Sequence, residues 1–349
     1  MQRTFENDRQ KRKIWKIVLL ALLGFGVLSA SVLAAILLGS ADLSPKNVFD
    51  VLQWKLFGTE KGELSNSVVY IIWNLRLPRA LLAIAAGGGL AVCGVAMQAI
   101  TQNVMADPYI LGVSSGATAT VSFAFCIGGV FADHTGLAGF LGAIIAMVLV
   151  YFIGVSKNGA SSTRLVLTGM AISIIFNAFS YLFISLSSES ATRSITMWMM
   201  GSLADARWSN LLLPLLVSVA GLAFFGAQAR AYNLISLGDE TAVSMGVSTA
   251  RLKKWTMLAV AFVTGVMVSS CGIIGLVGFV IPHIVRILLG ANHRKLIPVS
   301  WFSGSIFLVW MDVLARTVLS PQELPIGIFT ALFGGPFFIW LLYRQNQGE

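Results

Sequence analysis

Charge is scarce in this chain. Of 349 residues only 11% are Asp, Glu, Lys or Arg, against about 25% in a soluble domain. So few polar groups cannot cover a water-facing surface of this size, and the mean hydropathy is +0.82. The chain must be solvated largely by lipid. Acids are the scarcer sign: 15 Asp and Glu face 24 Lys and Arg, for a net charge of +9. The basic residues are scattered between apolar stretches rather than gathered in a stripe, which excludes a nucleic-acid partner. Membrane topology accounts for them, because cytoplasmic loops collect Lys and Arg.

Chemistry-bearing residues are sparse too. Cys93, Cys126 and Cys271 sit in apolar surroundings with no partner at metal-ligand spacing, so they read as small buried hydrophobes. His134, His283 and His293 form no cluster, and no metal or catalytic site is expected. There is no G-x-x-x-x-G-K-[ST] string to cradle ATP and no H-E-x-x-H pair. Only Asp312 lies plainly inside an apolar segment. An ion-coupled carrier usually buries several acids, so the energy source is expected outside the chain. The alternatives are an ion-coupled secondary transporter, working through Asp312, and a membrane-embedded enzyme, for which no acid–base cluster is visible.

What is abundant is hydrocarbon-compatible sequence. A spanning helix needs about 20 apolar residues, and the chain offers about ten candidates: 17–38, 79–100, 110–131, 137–156, 164–186, 208–228, 254–272, 274–290, 297–316 and 326–343. The first is too long for a signal-peptide core and reads as a retained helix. Gly272, Gly275, Gly278 and Pro282 interrupt 264–290, and a short extra helix is expected around Ile195–Leu203. The expected fold is therefore all-α and polytopic, one permease domain over 17–343. With both termini cytoplasmic, 1–16 and 344–349 are tails, 39–78 is an external loop and 229–253 a cytoplasmic excursion. Of the 24 basic residues, Lys46, Lys55, Lys61, Arg76, Arg79, Arg193, Arg207 and Arg316 then fall outside and the majority inside, as the positive-inside rule requires.

Two polar constellations stand at opposite ends of this grease. Leu75-Arg76-Leu77-Pro78-Arg79 runs into the second span, with Pro78 suited to a helix's first turn. Arg76 and Arg79 are three apart, so both are expected on one side, with Arg316 joining them. They read either as snorkelling anchors or as a cationic patch for an acidic external protein. Asp312 is four residues from Arg316 and in reach of an intrahelical pair. The other constellation is the island 237–247, containing Asp239, Glu240, Ala242, Met245, Gly246 and Val247. It reads as a short helix, acids at its positive end and Gly246 at its close. It is too polar to span and not Lys-rich enough to lie on lipid, so it should meet a protein. Asp107, next to Pro108, is either a helix cap or a functional acid near membrane depth. Gly112 and Gly116 have the spacing of a close helix contact.

These strings, with G-V-A-M-Q (94–98), A-D-P-Y-I-L-G-V-S-S-G-A (106–117), W-M-M-G-S-L (198–203), G-L-V-G-F-V-I-P-H-I-V-R (275–286) and E-L-P-I-G-I-F-T-A-L-F-G-G-P-F-F-I-W-L-L (323–342), resemble the permease subunit of type II ATP-binding-cassette importers. That FecCD-type family takes up iron–siderophore complexes, haem and cobalamin. The resemblance covers nearly the whole chain from Leu75 to Leu342. It implies ten helices in a bacterial cytoplasmic membrane, a second permease copy, two ATPase subunits that carry ATP-Mg, and a periplasmic or lipid-anchored substrate-binding protein. No cofactor on this chain is implied. Arg76, Arg79 and Arg316 match the arginines that receive glutamates of the binding protein. The island matches the coupling helix that seats in the ATPase. Met97, Gln98, Met105, Ser162 and Thr163 match the cytoplasmic gate and pathway. His283 matches a family histidine that does not track with cargo. The chain departs from the family's N-P-L-A-[DE]-P at Asn103-Val104-Met105-Ala106-Asp107-Pro108, which makes the gate segment more flexible. The expected function is import of a ferric siderophore or similar chelate by alternating access.

Overall fold

The computed structural model describes residues 22–39, 41–60, 64–154 and 162–346. The proposed tail 1–16, the opening of the 17–38 span and the end of the 344–349 tail lie outside them. Everything regular among the described residues is helical. In chain order the helices of six residues or more are α1 (Leu22–Leu37), α2 (Pro45–Phe57), α3 (Asn66–Thr101), α4 (Val113–Ile127), α5 (Thr135–Gly154), α6 (Ser162–Leu186) and α7 (Glu189–Met199). Then come α8 (Trp208–Ala227), α9 (Ala229–Ile235), α10 (Asp239–Ser244), α11 (Thr249–Cys271), α12 (Val277–Leu289), α13 (His293–Thr317) and α14 (Ile326–Asn346). Seven of these are long and apolar enough to cross a membrane, and α1, α4 and α12 are shorter apolar helices. Together they occupy the ten expected crossings.

The bundle is organised around α3, which packs against α8, α11, α12 and α13. Its sequence explains this position. From Ala83 to Ala99 it is mostly Gly and Ala, and side chains that small let neighbouring backbones approach where no hydrophobic force drives association. A Cβ on Gly94 would collide with the carbonyl of Gly278 in α12. The same device joins α4 to α5, where Gly116 lies on the carbonyl of Gly142. The expected contact glycine at 116 is thus used. Gly112 instead turns the chain into α4 at φ 85°.

The stretch 39–78, expected as an external loop, is more structured than its polarity implied. It contains α2, and its second half is the start of α3. Residues Ile71–Arg76 form a π-helical segment, closed by Leu77 N–H donating to Ile72 O. Pro78 cannot donate a backbone bond, and the widened turn carries the helix past it. The interrupted stretch 264–290 resolves into α11, an extended link and α12. With only 13 residues, α12 is about 20 Å long, short of a 30 Å hydrocarbon core. The link from Gly272 to Leu276 covers part of the depth, and Leu276 holds a φ of 69° that leucine rarely adopts.

Candidate functional site

At one end of the bundle three arginines and two acids form a collar. Arg76 is buried, and its Nη1 donates to the carbonyls of Ile36 at 2.6 Å and Leu37 at 2.9 Å, while Nη2 donates to Ala41 O at 2.7 Å. Arg316 is also buried and donates to Ala35 O at 3.0 Å and Leu38 O at 3.3 Å. Together they satisfy the carbonyls that a helix leaves unpaired at its C-terminus, here that of α1. Asp312 takes Arg79 Nε on one carboxylate oxygen at 2.7 Å and faces Arg316 Nε with the other at 3.0 Å. Arg79 Nη1 reaches Glu323, which is half exposed, also at 2.7 Å.

This corrects the expectation that Arg76, Arg79 and Arg316 present one exposed cationic patch. Arg76 turns inward to the end of α1, because five guanidinium donors at the membrane edge find carbonyls closer than water. Arg79 is largely covered too, and of the three it alone bonds an exposed side chain, Glu323. The intrahelical Asp312–Arg316 pair forms, and Asp312 is held by a second arginine as well. Its carboxylate is therefore committed, and the ion-coupled reading loses the one acid it relied on. Glu323 went unnoticed in the sequence. The signal was its place just before Leu324-Pro325, at the mouth of the last span.

The segment between α3 and α4 re-enters the bundle. Asp107 is buried, and its Oδ1 accepts the N–H of Tyr109 at 2.8 Å, opening a 3-10 turn over Pro108–Leu111. Its Oδ2 lies against Gly278, without a hydrogen-bond partner among the described residues. Burial pushes this carboxyl up to about 6 and raises the Tyr109 phenol as well. The cap that was one of the two readings of this acid is formed. Met105 accompanies it, packed against the small cluster of Phe279, Val280 and Leu341. Thr163 is exposed at the start of α6, and Ser162 is the first residue of that helix. Met97 and Gln98 do not line a passage in this conformation. Met97 is fully enclosed in the main core, and Gln98 Oε1 accepts from Arg286 Nη2 at 2.8 Å. Both lie on the most enclosed helix of the bundle.

On the same end as that segment, α10 stands clear of the bundle. Gly238 enters it at φ 114° and Gly246 leaves it at φ 85°. Asp239 anchors it twice: Oδ2 to the buried Lys253 Nζ at 2.6 Å and Oδ1 to Gln102 Nε2 at 2.9 Å. Gln102 follows Thr101 at the foot of α3 and also donates to Ile235 O at 3.0 Å. Ala242 is buried against the bundle, whereas Glu240, Val243, Met245 and Gly246 are exposed and Val247 is half-buried. Leu237 is 67% exposed and Met245 59%, so the polar helix carries apolar knobs on its free side.

The string Gly112-Val113-Ser114-Ser115-Gly116 has the G-x-S-x-G spacing of a hydrolase nucleophile. That motif needs a strand before the turn, and among the described residues there is no strand. The serine at the motif's centre, Ser114, is the second residue of α4, and its neighbour Ser115 donates to Gly112 O at 2.9 Å and serves the helix start.

The FecCD transport family model matches residues 27–344. The chain belongs to the FecCD transport family. It is 35% identical over 332 residues to the hemin transport system permease protein HmuU of Yersinia pestis, covering 93% of this chain and 96% of HmuU. It is 35% identical to the iron(3+)-hydroxamate import system permease protein FhuB of Bacillus subtilis, covering 98% of this chain and 88% of that one. A solved structure described as an inward-facing conformation of a metal-chelate type ABC transporter superposes with a TM-score of 0.80 at 29% identity, covering 93% of this chain and 98% of that one. As a FecCD protein the chain is a multi-pass inner-membrane permease subunit of an ATP-binding-cassette importer, and not an enzyme. The family implies ATPase and substrate-binding partners and a permease dimer.

Proposed function

We propose that two copies of this chain enclose a path for an iron chelate, a ferric siderophore or haem. Two ATPase subunits burning ATP-Mg sit against α10, and one substrate-binding protein sits on the collar. The observation that carries this reading is the tethering of α10. Its Asp239 ties it to the foot of α3 and to α11, while Leu237, Val243 and Met245 stand free to enter a cleft. A push on α10 therefore reaches the ends of two long helices at once.

The path is assigned to the dimer seam beside α6 and α14. These are the least buried of the long spans, and α6 exposes Asn177 in the middle of an apolar helix. A polar side chain at that depth belongs against water or another protein rather than lipid. Met105, Ser162 and Thr163 form the inner gate in this arrangement. At the collar, docking is proposed through Arg79, whose bond to the exposed Glu323 can be exchanged for an acid of the binding protein. Arg76 and Arg316 support it from beneath.

Reconstitution tests the whole. Vesicles holding this chain, its ATPase and its loaded binding protein should accumulate ferric chelate on ATP addition. Accumulation by the chain alone, driven by an ion gradient, would refute the reading.

A further inference from the structure

A second site lies beside the coupling helix, on the outside of the bundle. Where the ends of α8 and α11 meet there is a cavity of about 520 Å³. Its floor is polar, with Gln228, Ser248 and Arg251, and its wall is aromatic, with Phe224 and Trp255. Arg251 is exposed and makes no ion pair among the described residues. Arg230 and Lys254 are exposed nearby in the chain; of the two acids of this region Asp239 is already held by Lys253, which leaves Glu240 exposed against three basic side chains.

Two helix stripes lead from this basic pocket into the hydrocarbon. On α11 the exposed positions run Arg251, Trp255 and Phe262, with half-buried Leu258 between the last two. On α8 they run Leu212, Leu216, Val219 and Ala223. Both follow the 3.6-residue period and so mark faces turned to lipid. The helices touch where Gly221 meets Val263, which leaves a shallow seam between the stripes. Polar floor, aromatic rim and apolar seam follow one another in the order of a phospholipid's headgroup, glycerol level and acyl chains.

We propose that this pocket seats one anionic phospholipid of the cytoplasmic leaflet, its phosphate on Arg251 and Ser248 and its chains along the α8–α11 seam. The position rests on the coupling-helix end being cytoplasmic, the side where acidic lipids attract basic groups. Because Val247 and Ser248 link α10 to α11, the bound lipid braces the coupling helix from the membrane side.

Lipid retention tests this without any transport assay. The purified transporter is equilibrated in mixed phosphatidylglycerol and phosphatidylcholine bilayers, released, and analysed by native mass spectrometry. The wild type should retain phosphatidylglycerol over phosphatidylcholine. Arg251→Gln should lose about fivefold of that preference, the worth of one basic residue at a membrane surface. Arg230→Gln, outside the pocket, should keep it, and Trp255→Ala should weaken retention of both lipids. Equal preference in wild type and Arg251→Gln would overturn the assignment. So would displacement of the lipid by inorganic phosphate, which would mark a site for free anions, or loss of retention whenever the ATPase is bound, which would mark a protein contact.

Discussion

Asp312 divides its carboxylate between two arginines from different helices, Arg79 at 2.7 Å and Arg316 at 3.0 Å. A buried acid with two cationic partners is a bolt, and removing it leaves the buried Arg316 with no carboxylate and Arg79 with Glu323 alone. Asp312→Asn should destabilise the protein by about 3–5 kcal/mol, the usual consequence of breaking a buried pair from one side. Thermal unfolding in detergent measures this. An unchanged transition would show that the collar does not hold α3 and α13 together.

Glu323 competes with any docking acid for Arg79. Replacing it by Gln removes that competitor and leaves the buried pair with Asp312 in place. Glu323→Gln should tighten association of the binding protein by about two- to fivefold, the scale of an exposed ion pair. Surface plasmon resonance on nanodiscs reads the change. Weaker association would mean that Glu323 itself meets the partner.

Asp107 gives stability a pH dependence of unusual sign. Its folded-state value is raised to about 6 from 3.8. Below the lower value both folded and unfolded states hold the proton, and the group contributes nothing. Between the two the folded state keeps a proton that the unfolded state releases, so stability declines as pH rises. Above about 6 the penalty is constant, near 3 kcal/mol at 1.36 kcal/mol per unit. Asp107→Asn keeps an acceptor for the Tyr109 N–H and removes the charge. Its melting temperature should exceed that of the wild type at pH 8 and match it near pH 4. Parallel curves for the two proteins would contradict the burial argument.

Asn177 reports whether α6 faces water. In a Cys126→Ser background the remaining native thiols, Cys93 and Cys271, are buried. Asn177→Cys should then react with a charged, membrane-impermeant thiol reagent in the assembled transporter, at least ten times faster than Ile174→Cys, exposed one turn earlier. Equal rates would place α6 in lipid.

The sequence showed the helices because lipid imposes a simple rule on them, a long apolar run for each crossing. It showed less of what the arginines do. Spacing puts Arg76 and Arg79 on neighbouring turns, yet the direction of each side chain depends on carbonyls at the end of α1, some forty residues away. Gln98 and Met97 were misjudged for a related reason. Nothing local distinguishes a helix face that lines a path from one sealed by four neighbours, and the run of small residues in α3 was the hint that it would be sealed. The short helix α10 was readable almost whole, since its acids, its glycines and its polarity are all local signals. Its anchor at Gln102 was not, because that bond joins residues 137 apart.

The continuity of α3 has one further meaning. From Asn66 to Thr101 it is a single rod of 36 residues, about 54 Å end to end at 1.5 Å per residue. It carries Arg76 and Arg79 of the collar near one end, and its other end is bonded through Gln102 to Asp239 of α10. The widened turn at Ile71–Arg76, with Pro78 just after it, is where the backbone ladder of the rod departs from regular α-helix. In the proposed arrangement one continuous helix thus joins the collar to the contact with α10.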